Sequence, residues 1–426
     1  MGSTLESAIR GLIAFPYEHD LYGRLEKFED AALLTSDMLS RYISSHPVQE
    51  SITEFGECPR CYFQTSGTSG RAKQIPYSAA DLERQIDHEA QSFALAGLKP
   101  SDIVLTLASP PPSLSAWATI NGSTRLGASV INTSYVDFDT PIGVGESHRA
   151  TFVFGTPLML EMIGETCVDG WGSVEAVYPN VRYGILYGDL LPPALERRVR
   201  RLWGIDIRFL YGSVEADVIA MSCPEGDDTL HIMDQKIVVE LLPESAVRPG
   251  SPAPSSADLI AISDAPEGTR GEVVVSDLYR DHLPLIRYRT GDLVEIATTE
   301  CPCGRVGSRL RVLGRRANMI DLGGRILHEI DIHHAIERAL GTTWDDWSAE
   351  IEGNATSDAR MSLTVAIPRD PGSVGARAIY SEILACGAVP GERPAHEALL
   401  VTFAGPRQAQ GLIATGDVKA QRLTFT

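Results

Sequence analysis

Residues 192–211 read PPALERRVRRLWGIDIRFLY, and this stretch is the clearest indication of the fold class. Two prolines open a predicted helix and Gly204 ends it. Apolar side chains recur along this segment at helical spacing, at Leu195, Val199 and Leu202. The apolar run at residues 207–211 then predicts a buried strand. A helix that leads into a buried strand is the repeating unit of an α/β protein.

The same alternation continues on both sides of this unit. Apolar runs at residues 103–107 and 151–154 predict further strands, and helical stretches separate such runs from about residue 61 to residue 292. We therefore expect a large N-terminal α/β domain, residues 1–313, in which sheets are flanked by helices. Its first 60 residues are expected to be mostly helical, because Leu21, Leu25 and Phe28 stand at helical spacing.

The pattern changes after Leu310. Glycines and arginines cluster at residues 314–316 and 323–325, a helix is predicted at about residues 329–340, and three short apolar runs follow. This pattern indicates a small α+β C-terminal domain, residues 319–426, with its boundary near Gly314.

Charge and composition narrow the range of partners. The 426 residues include 37 Lys and Arg against 56 Asp and Glu, a net charge of −19. So acidic a chain is repelled by nucleic-acid phosphates and by anionic lipid. No run approaches the ~18 apolar residues of a membrane span, and the N-terminus has no apolar signal-peptide core. We expect a cytoplasmic protein whose partners are small molecules or another protein, and neither nucleic acid nor membrane.

A glycine- and hydroxyl-rich loop, TSGTSGRAK at residues 65–73, is the strongest chemical signal. Glycines let the backbone approach a polyanion, hydroxyls donate hydrogen bonds, and a lysine adds compact charge. The loop is neither a Walker A motif nor a nucleophile elbow. A flexible Ser/Gly linker is the alternative interpretation. The candidate phosphate-binding residues are Thr65, Ser66, Gly67, Thr68, Ser69, Gly70 and Lys73.

This loop resembles the phosphate loop of the adenylate-forming superfamily, which includes acyl-CoA synthetases, adenylation domains of peptide synthetases and luciferases. Four more stretches resemble that superfamily's motifs in the same order: YGSVE at 211–215, YRTGDL at 288–293, the glycine- and arginine-containing segment at 314–324, and KAQR at 419–422. Together they cover residues 65–422. The stretches PLIRY at 284–288 and CPCGR at 301–305 are similar to the phenylacetate-CoA ligase branch.

The resemblance implies both an activity and a domain arrangement. The activity is ATP-dependent conversion of a carboxylic acid to an acyl-AMP, with release of pyrophosphate. The arrangement is a large N-terminal domain, a hinge at residues 314–318 and a small mobile C-terminal domain. The hinge departs from the family, because Ala317 stands where an Asp or Lys is usual. This substitution puts in doubt how a second half-reaction uses domain rotation.

The resemblance also implies roles for individual residues. The loop and Lys73 would hold the β- and γ-phosphates, Tyr211 would stack on adenine, and Asp292, assisted by Arg315, would bind the ribose hydroxyls. Glu215 would bind Mg²⁺, a cation that prefers carboxylate and phosphate oxygen. Lys419 would be a catalytic cation that contacts the substrate carboxylate and the α-phosphate. The predicted nucleotide site is completed by Gly188, Asp189, Gly212 and Ser213.

Cysteines indicate a second, structural site. Cys301 and Cys303 would place two thiolates on a tight turn, and Cys223 and His231 lie close in sequence to the Glu215 motif. If the strands that carry them are neighbours, these four residues make a tetrahedral zinc set. The resemblance supports the same four ligands, since members of this branch carry zinc at matching positions. Four unrelated residues are the alternative. For Cys58 and Cys61, a lone Cys-x-x-Cys pair, we expect neither zinc nor redox chemistry.

The acid and its acceptor are defined less sharply. Trp117, Tyr135 and Tyr187 could form flat walls for an aromatic ring, and the resemblance points to aryl or arylacetic acids. The acceptor could be CoA, a carrier-protein thiol, or an amine or other nitrogen nucleophile in a secondary-metabolite pathway. A plain ATPase and a non-catalytic nucleotide-binding module are the competing interpretations. Lys73, Glu215, Asp292 and Lys419 argue against the second of these.

Overall fold

The computed structural model describes most of the chain. The described residues are 17–45, 59–65, 72–108, 113–133, 139–234, 236–277, 279–280, 283–322, 325–341, 347–353, 360–366, 372–386, 399–404 and 423–425.

The first described residues of the chain form a β-hairpin. The elements of this segment are β1 (Tyr17–His19), β2 (Gly23–Leu25), a 3-10 turn (Phe28–Asp30) and α1 (Ser36–Ser45). The prediction of helix is therefore wrong for residues 17–30. Gly23 turns the chain in the left-handed region, with φ +66°. Leu25 and Phe28 pack on Val238 and Ile286 of the large sheet, so long-range contacts outweigh their helical spacing.

Strands and helices then alternate as the sequence predicts. A short hairpin and a helix come first: β3 (Cys61–Gln64), β4 (Gln74–Tyr77) and α2 (Ala79–Leu95). The α/β region comprises β5 (Ile103–Thr106), α3 (Leu114–Arg125), β6 (Ser129–Asn132), α4 (Asp139–Ser147), β7 (Phe152–Gly155), α5 (Pro157–Trp171), α6 (Val174–Val177), β8 (Tyr183–Tyr187), α7 (Pro193–Trp203) and β9 (Asp206–Ser213).

An antiparallel region completes the large sheet. Its elements are β10 (Asp217–Met221), β11 (Leu230–Ile232), β12 (Ile237–Pro243), α8 (Glu244–Val247), β13 (Ile260–Ala261), β14 (Arg270–Asp277), β15 (Leu285–Ala297) and β16 (Arg309–Arg315). The strand order is β13-β12-β14-β15-β16-β11-β10-β9-β8-β7-β5-β6. The strands β6, β5, β7, β8 and β9 run parallel, and β9 pairs antiparallel with β10. The sheet therefore changes from parallel to antiparallel at β9.

Helices cover both faces of the parallel region, as predicted. On one face Ile163 of α5 and Val199 of α7 pack with Val153 of β7. On the other, Phe93 of α2 packs with Phe152 of β7. Successive residues of one strand thus feed two separate cores, because side chains alternate across a strand. The predicted helix–strand unit is confirmed: α7 ends at Gly204, whose φ is +65°.

The C-terminal region is a small α+β unit. It contains β17 (Ile320–Leu322), β18 (Arg325–Leu327), α9 (Glu329–Leu340), β19 (Trp347–Glu352), β20 (Arg360–Ala366), α10 (Gly372–Ala385), β21 (Leu399–Ala404) and β22 (Leu423–Phe425). The last four strands form a sheet in the order β21-β20-β19-β22.

The predicted hinge region lies between two packed units. β16 continues to Arg315, and Ala317 is exposed in a 3-10 turn. Beyond this turn Met319 and Ile330 pack with Leu242 of the large sheet, so one hydrophobic cluster draws on both sides of the expected boundary. The division into domains at residues 314–318 stays a prediction.

None of the helices in the described ranges combines the length and the apolar character that crossing a bilayer requires.

Gly212 provides a test of the β9–β10 pairing. It faces Val218, and a Cβ at this position would lie 2.2 Å from the Asp217 carbonyl oxygen. We expect Gly212→Ala to lower the free energy of unfolding by about 1–3 kcal/mol, because the backbone must shift. Gly170→Ala in α5 is the control, since a Cβ there meets nothing within 4 Å. Urea denaturation followed by tryptophan fluorescence measures both, and equal midpoints for the two variants would contradict the packing.

Candidate active site

The predicted phosphate loop joins the two strands of a hairpin. β3 and β4 pair antiparallel, and the last pair is Gln64 with Gln74. Just beyond it, the backbone N–H of Thr65 donates to the Lys73 carbonyl (3.0 Å), and that of Lys73 donates to Thr65 Oγ1 (2.9 Å). Residues 66–70, which carry the other predicted phosphate contacts, lie outside the described residues. Their roles stay predictions, but Thr65 and Lys73 hold the two ends of the loop together.

Lys73 and Glu215 form a buried ion pair. Lys73 Nζ lies 3.0 Å from Glu215 Oε1, and both side chains are at most 10% exposed. Lys73 Nζ also donates to Ser36 Oγ at 2.9 Å, and the Tyr288 hydroxyl donates to Glu215 Oε1 at 3.1 Å. The predicted phosphate-binding cation and the predicted magnesium ligand are therefore in direct contact.

Glu215 stands in a three-residue turn between β9 and β10. Ser213 pairs with Asp217 across the base of the turn, and Ser213 Oγ accepts a hydrogen bond from the Ala216 N–H at 3.1 Å. The Tyr77 hydroxyl donates to the Val214 carbonyl at 2.9 Å. These contacts hold the turn from the inside and leave the Glu215 carboxylate directed at Lys73.

A second group of predicted residues forms a chain of polar contacts. The Tyr211 hydroxyl donates to Asp292 Oδ2 at 2.9 Å, and Arg315 lies 2.9 Å from Asp292 Oδ1. Asp292 and Arg315 are paired across β15 and β16. Burial first, and then the charge of Asp292, raise the pKa of Tyr211 well above its usual range. Its hydroxyl therefore stays a hydrogen-bond donor to the carboxylate.

The two groups belong to one site. Tyr288 and Asp292 lie on the same strand, β15, and Tyr211 and Glu215 lie four residues apart. The charge of Asp292 is the main cause of the raised pKa of Arg315, and Glu215 contributes in the same direction. The site thus combines two carboxylates with two cations at the end of β9.

Gly188 and Asp189 follow the carboxyl end of the neighbouring strand. β8 and β9 are parallel, and Tyr187 pairs with Leu210, which places Gly188 beside Tyr211. Gly188 has a φ of +88°, and the Leu190 N–H donates to Asp189 Oδ1 at 2.8 Å. Ligands of open α/β sheets bind outside the carboxyl ends of the strands. The location of this turn agrees with that rule.

The structure describes only some of the residues predicted for acid binding and catalysis. Trp117 packs against Phe63, with ring centroids 5.4 Å apart, whereas Tyr187 packs against Phe154 at 5.0 Å. The two rings belong to different hydrophobic clusters. Tyr135 and Lys419 lie outside the described residues. Their roles stay predictions.

The four predicted zinc ligands come together. The ligand atoms of Cys223, His231, Cys301 and Cys303 all lie within 4.8 Å of one another. Cys223 Sγ is 3.5 Å from Cys301 Sγ, and Cys303 Sγ is 3.3 Å from His231 Nε2. β11, which carries His231, pairs with β10 and β16, and this pairing makes the segments neighbours. Three sulfurs and an imidazole at such distances suit a tetrahedral cation.

Burial favours the neutral form of the Cys223 thiol. Desolvation raises the pKa of the Cys223 thiol to about 12. A bound cation reverses that preference, because a coordinating thiol is deprotonated outright. By contrast, Cys61 is only half-buried at the start of β3, and Cys58 lies outside the described residues.

Several contacts of Lys73 and Glu215 could not be predicted from sequence motifs. Ser36 of α1 and Arg280 belong to no motif, although the Arg280 guanidinium donates to the Glu215 carbonyl at 2.6 Å. Tyr288 stands inside a recognised motif, but its hydrogen bond to Glu215 depends on the pairing of distant strands. Only the folded arrangement identifies these three residues.

The described structure combines a large mixed sheet flanked by helices with the buried Lys73–Glu215 pair and a second carboxylate, Asp292. Residues 37–277, more than half of the chain, match the family described as AMP-binding enzyme. The chain belongs to this family. The resemblance to adenylate-forming enzymes of the phenylacetate-CoA ligase-like branch is confirmed.

Individual relatives agree with this assignment. The phenylacetate-coenzyme A ligases of Thermus thermophilus and Pseudomonas putida are each 25% identical, over 263 and 264 residues. The match covers 61% of this chain and 55% of each relative, so the chain spans little more than half the length of these curated relatives.

Solved structures share the fold. 2-Hydroxyisobutyryl-CoA ligase in the postadenylation state with 2-HIB-AMP is similar over 100% of this chain and 88% of its own, with a TM-score of 0.73 and 17% identity. The same ligase with 2-HIB-AMP and CoA in the thioesterification state gives a TM-score of 0.61 over 99% of this chain and 87% of its own, also at 17% identity.

The Lys73–Glu215 pair predicts a specific pattern of stability. We expect Lys73→Met to lower the free energy of unfolding by about 3–5 kcal/mol, because it leaves the Glu215 carboxylate buried without its cation. The double variant Lys73→Met/Glu215→Gln should regain part of this loss, since both charges are gone. Urea denaturation of the single and double variants measures the coupling.

The exposed pair Lys27–Asp30 supplies the matched control. Its atoms are 3.9 Å apart, and Lys27 is 65% exposed. Lys27→Met should leave the free energy of unfolding unchanged. Additive losses in the Lys73/Glu215 double variant would contradict a coupled buried pair.

Proposed function

We propose that this protein is an AMP-forming ligase that activates an aromatic carboxylic acid as its acyl-AMP. The observation that carries the proposal is the contact of buried Lys73 with Glu215, next to the Tyr211–Asp292–Arg315 chain at the end of β9. It provides a cation for phosphate, a carboxylate for a metal and a carboxylate for ribose within one site.

The reaction brings two anions together. A carboxylate oxygen of the acid forms a bond to the α-phosphorus of ATP, while the bond between this phosphorus and the bridging oxygen breaks and pyrophosphate leaves. Charge that develops on the phosphates is stabilised by preorganised donors. Lys73 supplies such a charge at the end of the loop, and its bonds to Ser36 and Glu215 hold the ammonium in place before ATP arrives.

Glu215 is the residue suited to hold magnesium. Mg²⁺ is bound through one or two carboxylates plus substrate phosphates, and the described contacts of the Glu215 carboxylate both fall on Oε1. When bound, the ion neutralises phosphate charge. Glu215 would hold the ion, and Lys73 would supply a second positive charge for the phosphates.

Asp292 is positioned to accept hydrogen bonds from the ribose hydroxyls. Its two oxygens are held by the Tyr211 hydroxyl and the Arg315 guanidinium, so the carboxylate has a defined orientation. Gly188 and Asp189 extend the nucleotide site, and Lys419 would add the second cation at the α-phosphate. The sequence motifs support this last role.

The relatives support the choice of acid and acceptor. Two of them are named for phenylacetate and coenzyme A, which favours an aromatic acid and CoA. A carrier-protein thiol is the other thiol acceptor. An amine or other nitrogen nucleophile is the second candidate, and the exposed Ala317, which stands where a charged hinge residue is usual, favours it, because it removes an anchor for rotation of the C-terminal domain.

Exchange of pyrophosphate into ATP tests the proposal. We expect labelled pyrophosphate to enter ATP only when an acid is present, and aryl or arylacetic acids to support the fastest exchange across a panel that includes short aliphatic acids. Lys419→Ala should abolish exchange and keep ATP binding, because its cation acts on the reacting groups. Phosphate release without acid would instead indicate a plain ATPase. Full exchange in Lys419→Ala would refute the role of Lys419 as a catalytic cation.

We also propose that Cys223, His231, Cys301 and Cys303 hold a structural zinc ion. The close approach of their ligand atoms supports this assignment. Four protein ligands leave no open position for chemistry, so the ion would contribute stability alone. It would tie the segment after β10 to the turn before β16.

Metal analysis tests the zinc site. We expect about one zinc ion per chain in protein purified without chelator, and a lower thermal midpoint after its removal, since metal binding contributes folding energy. Cys301→Ser should lose the metal. Cys61→Ser is the control, because Cys61 stands outside the cluster and should keep it. Wild-type protein without stoichiometric zinc would refute the proposal.

A further inference from the structure

The backbone around Glu215 is held by hydrogen bonds from buried polar side chains. Three carbonyls in residues 214–218 accept hydrogen bonds from buried side chains of other elements. Tyr77 donates to Val214, Arg280 donates to Glu215, and His88 Nε2 lies 2.8 Å from the Val218 oxygen. Burial raises the pKa of Tyr77 to about 12, so its hydroxyl remains a donor.

Asp217, the first residue of β10, closes this turn in a left-handed backbone conformation. Its φ is +65°, a left-handed conformation that few residues other than glycine adopt. Its carboxylate is buried and accepts hydrogen bonds from Lys236 Nζ at 3.0 Å and from the Gln85 amide. Lys236 Nζ lies 3.2 Å from Asp277 Oδ2 as well, so one ammonium joins the turn to the end of β14.

Glu89 of α2 completes the network. It is 4% exposed and in hydrogen-bonding contact with Asp217, and no described residue donates to its Oε2. Burial, followed by the charge of Asp217, raises the pKa of Glu89 well above its usual range. The raised pKa favours the protonated form of Glu89, which can donate to Asp217 and so avoids repulsion between the two carboxyl groups.

The buried positive and negative charges behind this turn are then equal in number. With Glu89 neutral, the buried carboxylates of Asp217 and Asp277 face the cations of Lys236 and Arg280. A buried charge is tolerated when it is paired and hydrogen-bonded. Arg280 donates to the Glu215 carbonyl and Asp217 lies two residues further on, so the network holds the backbone on which Glu215 stands.

We propose that Asp217, Lys236 and Glu89 are positioning residues for Glu215, and that they hold the 214–218 turn in the conformation that presents this carboxylate to Mg²⁺ and ATP. The inference rests on the proposed function. Its physical basis is that groups behind a metal ligand orient it, and their loss weakens metal affinity by about 10–100-fold.

Isothermal titration of ATP with and without Mg²⁺ tests the proposal. In Lys236→Met we expect the Kd for ATP to rise about tenfold in excess Mg²⁺ and far less in EDTA, because the metal contact depends directly on Glu215, whereas Lys73 keeps its hydrogen bond to Ser36. Asp217→Asn is the second variant, since asparagine tolerates the left-handed backbone and removes the charge. Glu89→Gln should retain wild-type affinity, because its amide can donate to Asp217 as the protonated acid does.

Lys99→Met, at an exposed lysine, is the control and should bind as wild type does. If Lys236→Met and Asp217→Asn lost equal affinity for ATP with and without Mg²⁺, the positioning role of Lys236 and Asp217 would be overturned. Folded variants that lose no affinity for ATP in Mg²⁺ would overturn it as well. Wild-type protein that binds ATP equally in Mg²⁺ and EDTA would instead overturn the proposed function of Glu215. The two failures are thus distinguished.

Discussion

The buried contact between Lys73 and Glu215 is the interaction on which the rest of the site depends. Two charges removed from water are costly unless each has its partners in place. Here Ser36 and Tyr288 complete the pair, so four separate segments of the chain must meet: α1, the end of the β3–β4 hairpin, the turn after β9, and β15. A site built in this way is formed before any ligand arrives, and its lysine is already held near the loop that would receive phosphate.

The reversal of strand direction at β9 places this pair. β9 runs parallel to β8 and antiparallel to β10, so its carboxyl end leads directly into the short turn that carries Glu215. The same edge receives Gly188 from β8. Asp292 and Arg315 reach it from the antiparallel strands β15 and β16. The parallel half of the sheet thus supplies the turns after β8 and β9. The antiparallel half supplies the Asp292 carboxylate and the Arg315 guanidinium.

Much of this architecture follows from local patterns. The segment with Leu195 and Val199 forms the predicted helix, because apolar spacing, prolines and a terminal glycine all agree there. The hairpin at residues 17–25 was missed, since Leu25 and Phe28 have helical spacing but pack on Val238 and Ile286. Lys236 and Glu89 were missed for a different reason. An isolated lysine or glutamate in the sequence is ordinarily a solvated charge, and only its burial reveals another role.

The sequence by itself determined the alternation of strands and helices and the family, and it predicted most residues of the candidate site, because these depend on periodicity and short motifs. Tertiary structure alone decided which side chains touch. It brought Cys223 to Cys301, paired Asp292 with Arg315, and placed Lys236 beneath the turn of Glu215. Contacts between residues far apart in sequence depend on strand order and burial, and no local pattern encodes either of these.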